Sequence, residues 1–275
     1  MTTYEVAEIW RHPVKSMGGE SLATAELGAA GVDGDRRWAL RSRASGKIVS
    51  AKRPRPYGGL LDWSAAVDRD GVAVTGPDGA TFGVGDPALD TALSDALGEA
   101  VSLVPVEAGA EETYDSVWPE IPDTSLSDTE VEFPIALLTD KTSFVDVSAL
   151  HIVVADSVAH LGTLIPDVVL DVRRFRPSVV VRSVDGGHEG FADLAWSDVP
   201  ASIGAVEVRI GAPAPRCVMT TLPQPGLAKA NQILKALAAD ARHTSAFGTF
   251  ACLGTYAEVT SPGVVSVGDT FTVDG

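Results

Sequence analysis

Cysteine is almost missing from this 275-residue chain, which holds only Cys217 and Cys252. Two thiols build no disulfide framework, so a reducing, cytoplasmic setting is expected. No apolar run reaches the roughly 18 residues of a membrane helix, and no membrane association is expected. The opening Met-Thr-Thr-Tyr-Glu has no basic stretch followed by an apolar one, so no secretory leader is expected. Positive charge is short: 21 Lys and Arg stand against 37 Asp and Glu, a formal net charge of -16. Without a cation surplus to displace phosphate counterions, a nucleic-acid partner is not expected.

The shortage is local. Between Asp70 and Asp140 lie 16 acidic residues and no Lys or Arg, which accounts for the whole imbalance. The basic residues fall mainly in two blocks, 11–55 and 173–216. Such clusters in an acidic protein form a local anion pocket or solvated surface charge. With 45% hydrophobic residues the chain holds one large or two ordinary cores.

Residues 4–105 read mostly as short strands, with Val6 to Trp10, Trp38 to Leu40, Ile48-Val49, Leu60 to Val67 and Val72 to Thr75 among them. Asp70-Gly71 is a hairpin signal, and frequent Gly and Pro turns point to a barrel. One helix interrupts, capped by Asp86, with Pro87 in its first turn, Leu89, Leu93 and Leu97 on one side, and Gly98 at its end. Residues 106–132 are acidic and proline-punctuated and read as a linker or surface loop. From 133 to 275 strands dominate again. Val179 to Val181 is a buried strand, and Val206, Val208 and Ile210 alternate with Glu207 and Arg209. Ser157 to Leu164, capped by Asp156, and Ala228 to Ala241 read as helices. The expected fold class is mostly β with some α/β elements.

Familiar signatures are few. Gly46-Lys47 precedes Ile48, so there is no phosphate loop. Gly28, Gly31 and Gly34 do not have dinucleotide-fingerprint spacing, and the histidines (12, 151, 160, 188 and 243) are scattered and read as structural or exposed, not as metal ligands. Cys217 stands out in Ala214-Pro215-Arg216-Cys217-Val218-Met219-Thr220-Thr221. A thiol beside a guanidinium favours the form that attacks electrophiles or binds soft metals. Arg173-Arg174-Phe175-Arg176-Pro177 places three arginines before a buried strand, at the mouth of a site. His12-Pro13-Val14-Lys15-Ser16 and Gly34-Asp35-Arg36-Arg37-Trp38 add two more basic segments.

Taken in order, these segments resemble one family. HPVKS at 12–16, GDRRW at 34–38, FRPS at 175–178, RCVMTT at 216–221 and the closing PGVVSVGD at 262–269 are similar to the motifs of MOSC-domain proteins. The resemblance spans essentially the whole chain. It implies an N-terminal MOSC β-barrel domain (1–105), the acidic linker or loop (106–132) and a β-barrel-like MOSC core with a few helices (133–275).

The resemblance also implies a cofactor, the molybdenum cofactor, whose pterin carries a dithiolene and a phosphate. Cys217 is then the protein ligand to the metal and the catalytic residue. Lys15, Ser16, Arg36, Ser157, Arg176, Ser178 and Arg216 match cofactor-binding positions. The chain departs from the pattern where Ser178 replaces an Asn, where Pro215 stands at a common Ser, and where no Asp follows Thr221. By similarity to the mitochondrial amidoxime reducing component and its bacterial relatives, the expected activity is reduction of small N-hydroxylated substrates. No cluster-binding cysteines accompany the core, so electrons are expected from a separate ferredoxin- or flavoprotein-type donor. No pyridoxal phosphate is expected. Two other readings stand beside this one: a carrier of the cofactor, or of sulfur on Cys217, and a scaffold that has lost its site.

Overall fold

The computed structural model describes residues 3–117, 130–186, 190–245 and 248–274. Seven strands close into a barrel, numbered here in chain order: β1 (Tyr4–Arg11), β2 (Leu150–Val154), β3 (Val179–Ser183), β4 (Val199–Ile203), β5 (Val206–Pro215), β6 (Gly248–Ser261) and β7 (Thr270–Val273). Around the barrel the order is β2-β3-β1-β7-β4-β5-β6, and β6 pairs back onto β2. Closure leaves no free edge among these strands. Only β2 and β3 run parallel, and the helix Ala155–Leu164 lies in the connection between them, as a parallel crossover requires. The chain's first strand is thus a member of the C-terminal sheet, seated between β3 and β7.

Alternation explains the barrel core. In β5, Val206, Val208 and Ile210 are buried while Glu207 and Arg209 face out. Phe271, Ile203, Val181 and Ile152 join them inside. Toward its end β5 loses regular register, first between Ile210 and Pro213 and again before Pro215. Proline has no N–H for a ladder, so the two prolines help break the pairing just before Arg216 and Cys217.

The N-terminal region folds beside the barrel. Trp38–Ser42 pairs with Val101–Pro105, and Ser64–Asp68, Gly71–Thr75 and Thr81–Gly83 form a three-stranded sheet. The helix Pro87–Leu97 is capped by Asp86, which accepts from the Ala88 N–H at 2.9 Å, and ends at Gly98 with φ +65°. Leu89, Leu93 and Leu97 pack with Val14, Leu40, Leu60 and Val74 in a second core.

Several local expectations shift. Ile48 makes isolated bridges to Arg41 and Tyr114 instead of a strand with Val49. Gly58–Asp62 is a 3₁₀ turn before its strand. The C-terminal helix is only Gln232–Asp240, because the Ala230 N–H is bonded to the Thr221 carbonyl. Asp156 does not cap the crossover helix; its carboxylate accepts from the Ser183 N–H at 2.8 Å. In the acidic stretch, Thr113–Val117 and Glu130–Pro134 pair antiparallel, with Tyr114 and Phe133 stacked 6.0 Å apart. Residues 118–129, with Pro119, Glu120, Pro122, Asp123 and Asp128 of that stretch, lie outside the described residues, as does His188.

Candidate functional site

The barrel end where β5 breaks faces the N-terminal region, and a cavity of about 90 Å³ lies between them. Four segments far apart in sequence line it. Lys15 and Ser16 follow β1, Arg36 precedes the strand Trp38–Ser42, Arg176 and Ser178 precede β3, and Arg216 and Cys217 follow β5. The structure therefore brings together seven of the eight residues singled out from sequence. Ser157 is the exception. It is fully buried and donates to Asp193 Oδ1 at 2.5 Å, and that carboxylate also accepts from the Gly254 N–H.

Backbone conformation marks the site. Six non-glycine residues have left-handed φ among the described residues, and three of them are Ser16 (+67°), Arg36 (+48°) and Arg176 (+53°). Such conformations cost about 1–3 kcal/mol each and persist where the surroundings enforce them. Here hydrogen bonds hold all three turns. The Arg36 N–H reaches the His12 carbonyl at 2.8 Å, the Arg36 carbonyl accepts from Phe144, and the Arg176 N–H caps onto Arg173. The Ser16 hydroxyl accepts from the Ala51 N–H at 3.1 Å.

The arginine run separates in space. Arg173 pairs with Asp171 at the surface. Arg174 is buried and donates to the carbonyls of Thr220, Leu222 and Ala228, which fixes the segment after Cys217. Arg176 turns into the cavity, where one amino group bonds the Met17 carbonyl and the other, Nη2, has no partner. Arg216 donates from Nη2 to the Phe175 carbonyl at 2.8 Å, while its buried Nε is unpartnered.

Six cations line the cavity against one carboxylate, Asp146. Asp146 lies 2.6 Å from Lys15 Nζ and 3.0 Å from Lys52 Nζ. Burial works against its charge, but the two ammonium groups hold it well below the usual carboxylate range. Burial, reinforced by Lys52 and Arg36, lowers Lys15 to about 8 despite Asp146. Burial with Arg36 alongside lowers Arg176 to about 9. Burial opposes the charge of Lys52 too, yet Asp146 and Tyr114 outweigh it and hold Lys52 well above its ordinary value. His12 and His151 are pushed well below theirs by burial and by the neighbouring arginines. Behind the lining the buried Asp35 pairs with Arg36, and the two carboxylates do not balance six cations. No residue of the acidic stretch 70–140 lines it among the described residues.

Sequence reasoning missed Lys52, Asp146 and His151. Lys52 and Asp146 belong to no motif, and only the folded chain places them around Lys15. His151 is among the histidines read as structural or exposed; it is buried, and its Nε2 stands 3.2 Å from Arg216 Nη1.

A second cavity, of about 790 Å³, adjoins the first, and Cys217, Pro215, Lys52, Asp146 and Tyr256 line both. Cys217 is half-buried at this junction. Among the described residues no three His, Cys, Asp or Glu side chains converge on a metal position.

Comparison with known proteins agrees with the motifs. Residues 3–116 match the MOSC N-terminal beta barrel domain and residues 139–272 match the MOSC domain. The chain belongs to the MOSC-domain family. No curated protein matches it. Among solved structures it is similar to the YuaD protein from Bacillus subtilis, at 10% identity over 98% of this chain and 94% of that one, with a TM-score of 0.47. It is also similar to YiiM from Geobacillus stearothermophilus, at 11% identity over 62% of this chain and 73% of that one, with a TM-score of 0.32. No described helix is long and apolar enough to cross a membrane.

Proposed function

We propose that the cation-lined cavity holds the molybdenum cofactor and that the chain is an oxidoreductase acting on small N-hydroxylated substrates. The observation that carries this reading is the convergence of Cys217 with buried guanidinium groups whose Arg176 Nη2 and Arg216 Nε atoms lack partners. Buried donors left unbonded cost about 1–3 kcal/mol each, and a phosphate or pterin acceptor relieves them. Cys217 supplies one soft ligand, and among the described residues no three His, Cys, Asp or Glu side chains gather to hold a metal by themselves. That fits a metal whose other sulfur ligands arrive with the pterin.

In this reading Cys217 binds the metal. Arg36, Arg176, Arg216 and Lys15 neutralise the anionic group, and the Ser16 and Ser178 hydroxyls and Lys52 border it. The cofactor supplies two-electron redox chemistry when bound. The protein orients it and keeps one side open through the larger cavity. Reduction of an N–OH group takes up two electrons and two protons and releases water. A separate donor protein, working in the cytoplasm, provides the electrons.

The test is metal and pterin analysis of the full chain made in a host that synthesises the cofactor. Stoichiometric molybdenum and pterin support the reading, and their absence overturns it. Reduction of an amidoxime by the dithionite-reduced, loaded protein then separates an enzyme from a carrier, which would release cofactor or sulfur to an acceptor and leave the amidoxime unchanged.

A further inference from the structure

The larger cavity has a wall of a different kind. Val131 and Phe133 of the hairpin and Leu137 and Leu138 beyond it form one side, and Pro213 and Phe250 belong to the barrel side. Its volume, about 790 Å³, falls within the roughly 300–1,000 Å³ of small-molecule sites. Eight large apolar side chains are exposed among the described residues, and three gather here: Val131 (38% exposed), Leu137 (54%) and Leu138 (62%). Exposed apolar side chains grouped at a cavity mark a ligand surface. The two leucines are held in place. The Leu137 and Leu138 N–H groups donate at 3.0 Å to the carbonyls of Asp146 and Val147, residues that also line the basic cavity.

The lysine and arginine of this wall are paired, and Glu258 adds a carboxylate. Arg209 pairs with Asp198 at 2.7 Å and Lys52 with Asp146 at 3.0 Å, so neither cation is free to hold an anion. We infer that this cavity binds the apolar body of an uncharged substrate and presents its reactive end to Cys217. This inference rests on the redox reading above and narrows it. Aryl and alkyl N-hydroxylated compounds are favoured, and N-hydroxylated nucleotides, whose phosphates find no free cation there, are disfavoured.

The experiment measures binding of benzamidoxime and of its small counterpart acetamidoxime by calorimetry, with the full chain free of cofactor, and then kcat/KM with the loaded protein. Benzamidoxime is expected to bind at least about tenfold tighter, as burial of a phenyl group dictates. Leu138→Asp, at an exposed position that tolerates a charge, is expected to weaken benzamidoxime about tenfold. Val169→Asp, similarly exposed but outside the cavity lining, is expected to change nothing. Sulfate binding, which reads the basic cavity, should survive Leu138→Asp and shows that the variant is folded. Equal affinities for the two amidoximes, or an unaffected Leu138→Asp, overturn the inference even where the loaded protein reduces both. Tight, Leu138-dependent binding without reduction upholds the cavity and overturns the redox reading instead.

Discussion

Cys217 stands between two cavities whose walls have little in common. One is small, about 90 Å³, and lined by six cations, two of them buried and three with unpartnered donor atoms. The other is about 790 Å³, largely apolar, with its cations already paired. Their origins differ as well. The basic wall comes from turns that flank β1, β3 and β5, with left-handed residues at Ser16, Arg36 and Arg176. The apolar wall comes from a hairpin and turn laid against the barrel. A rigid, electrostatically unsatisfied wall suits a permanently held anion, and an apolar, partly exposed wall suits a ligand that enters and leaves.

The largest effect is expected at the point they share. Cys217→Ser should lose most of the bound molybdenum while far-UV circular dichroism and the melting transition stay intact, since this side chain is only half-buried. Cys252→Ser should keep the metal. That thiol is fully buried and its hydrogen bond goes to the Phe250 carbonyl at 3.5 Å, so the substitution costs about 1–2 kcal/mol of stability and nothing at the metal. Equal metal content in Cys217→Ser and the parent protein would place the metal elsewhere.

Next comes the contrast in charge. Arg176→Glu should weaken sulfate binding on the order of a hundredfold, since it removes a buried charge-assisted donor and adds a repulsion. The loss should be greater at low salt. Arg176→Gln should lose less and guards against misfolding. Neither should alter benzamidoxime binding by the cofactor-free chain. Glu111→Lys, at an exposed carboxylate paired with Lys141, should change sulfate affinity by less than about twofold. If Arg176 and Glu111 matter equally, the basic wall is ordinary surface charge.

How much of this contrast was legible beforehand depends on what kind of signal each part leaves. The alternation of Val206, Val208 and Ile210 and the Asp86 and Gly98 caps are local, so sequence shows them. Lys15, Arg36, Arg176 and Arg216 are legible because they sit in motifs, although nothing local says that Arg173 and Arg174 of the same run go elsewhere. Three neighbouring arginines look alike until a left-handed turn at Arg176 separates them. Lys52, Asp146 and the leucine pair at 137–138 leave no motif. Their roles come from long-range proximity, 131 residues between Lys15 and Asp146, which a one-dimensional pattern does not carry. The N-terminal strand's place in the C-terminal barrel is hidden for the same reason. Residues 106–132 look irregular because the one buried side of the hairpin shows only Tyr114 and Ser116 among acidic neighbours.

A third prediction acts on the frame behind the basic wall. Gly254 has φ +79°, and a Cβ there would collide with His151 Nε2 and the Ile152 carbonyl. Its N–H is held by Asp193, the same carboxylate that takes up Ser157. Gly254→Ala should lower unfolding stability by about 2–3 kcal/mol, measured by denaturant titration. Because His151 leans on Arg216 and lines only the basic cavity, sulfate affinity should fall along with stability, and benzamidoxime affinity should not. Parallel loss of both ligands would mean that the two walls share one support.

The smallest effect expected is a difference in pH response between the walls. Lys15 in the ligand-free protein titrates at about 8 instead of its ordinary 10.5, because it is buried and crowded by Lys52 and Arg36. Sulfate keeps the same charge from pH 7 to 9.5 and binds the ammonium form, so it raises that value on binding. Its affinity should therefore be flat only below about pH 7 and fall several-fold by pH 9.5, at most about tenfold per pH unit for one group. Arg176, lowered to about 9, adds a fall of the same sign. His12 and His151 are neutral throughout this window, since both lie well below 6.5. Calorimetry in two buffers of different ionisation enthalpy should show net proton uptake with sulfate at pH 8.5. Stability follows the same proton. Between about 8 and 10.5 the unfolded chain keeps the Lys15 proton that the folded chain has lost, so this group makes the free protein more stable as pH rises, and saturating sulfate flattens that rise. Benzamidoxime, uncharged and held by an apolar wall, should bind with no such dependence. A matching fall in its affinity above pH 8 would show that Lys15 or Arg176 reaches into both cavities and that the division at Cys217 is not electrostatic.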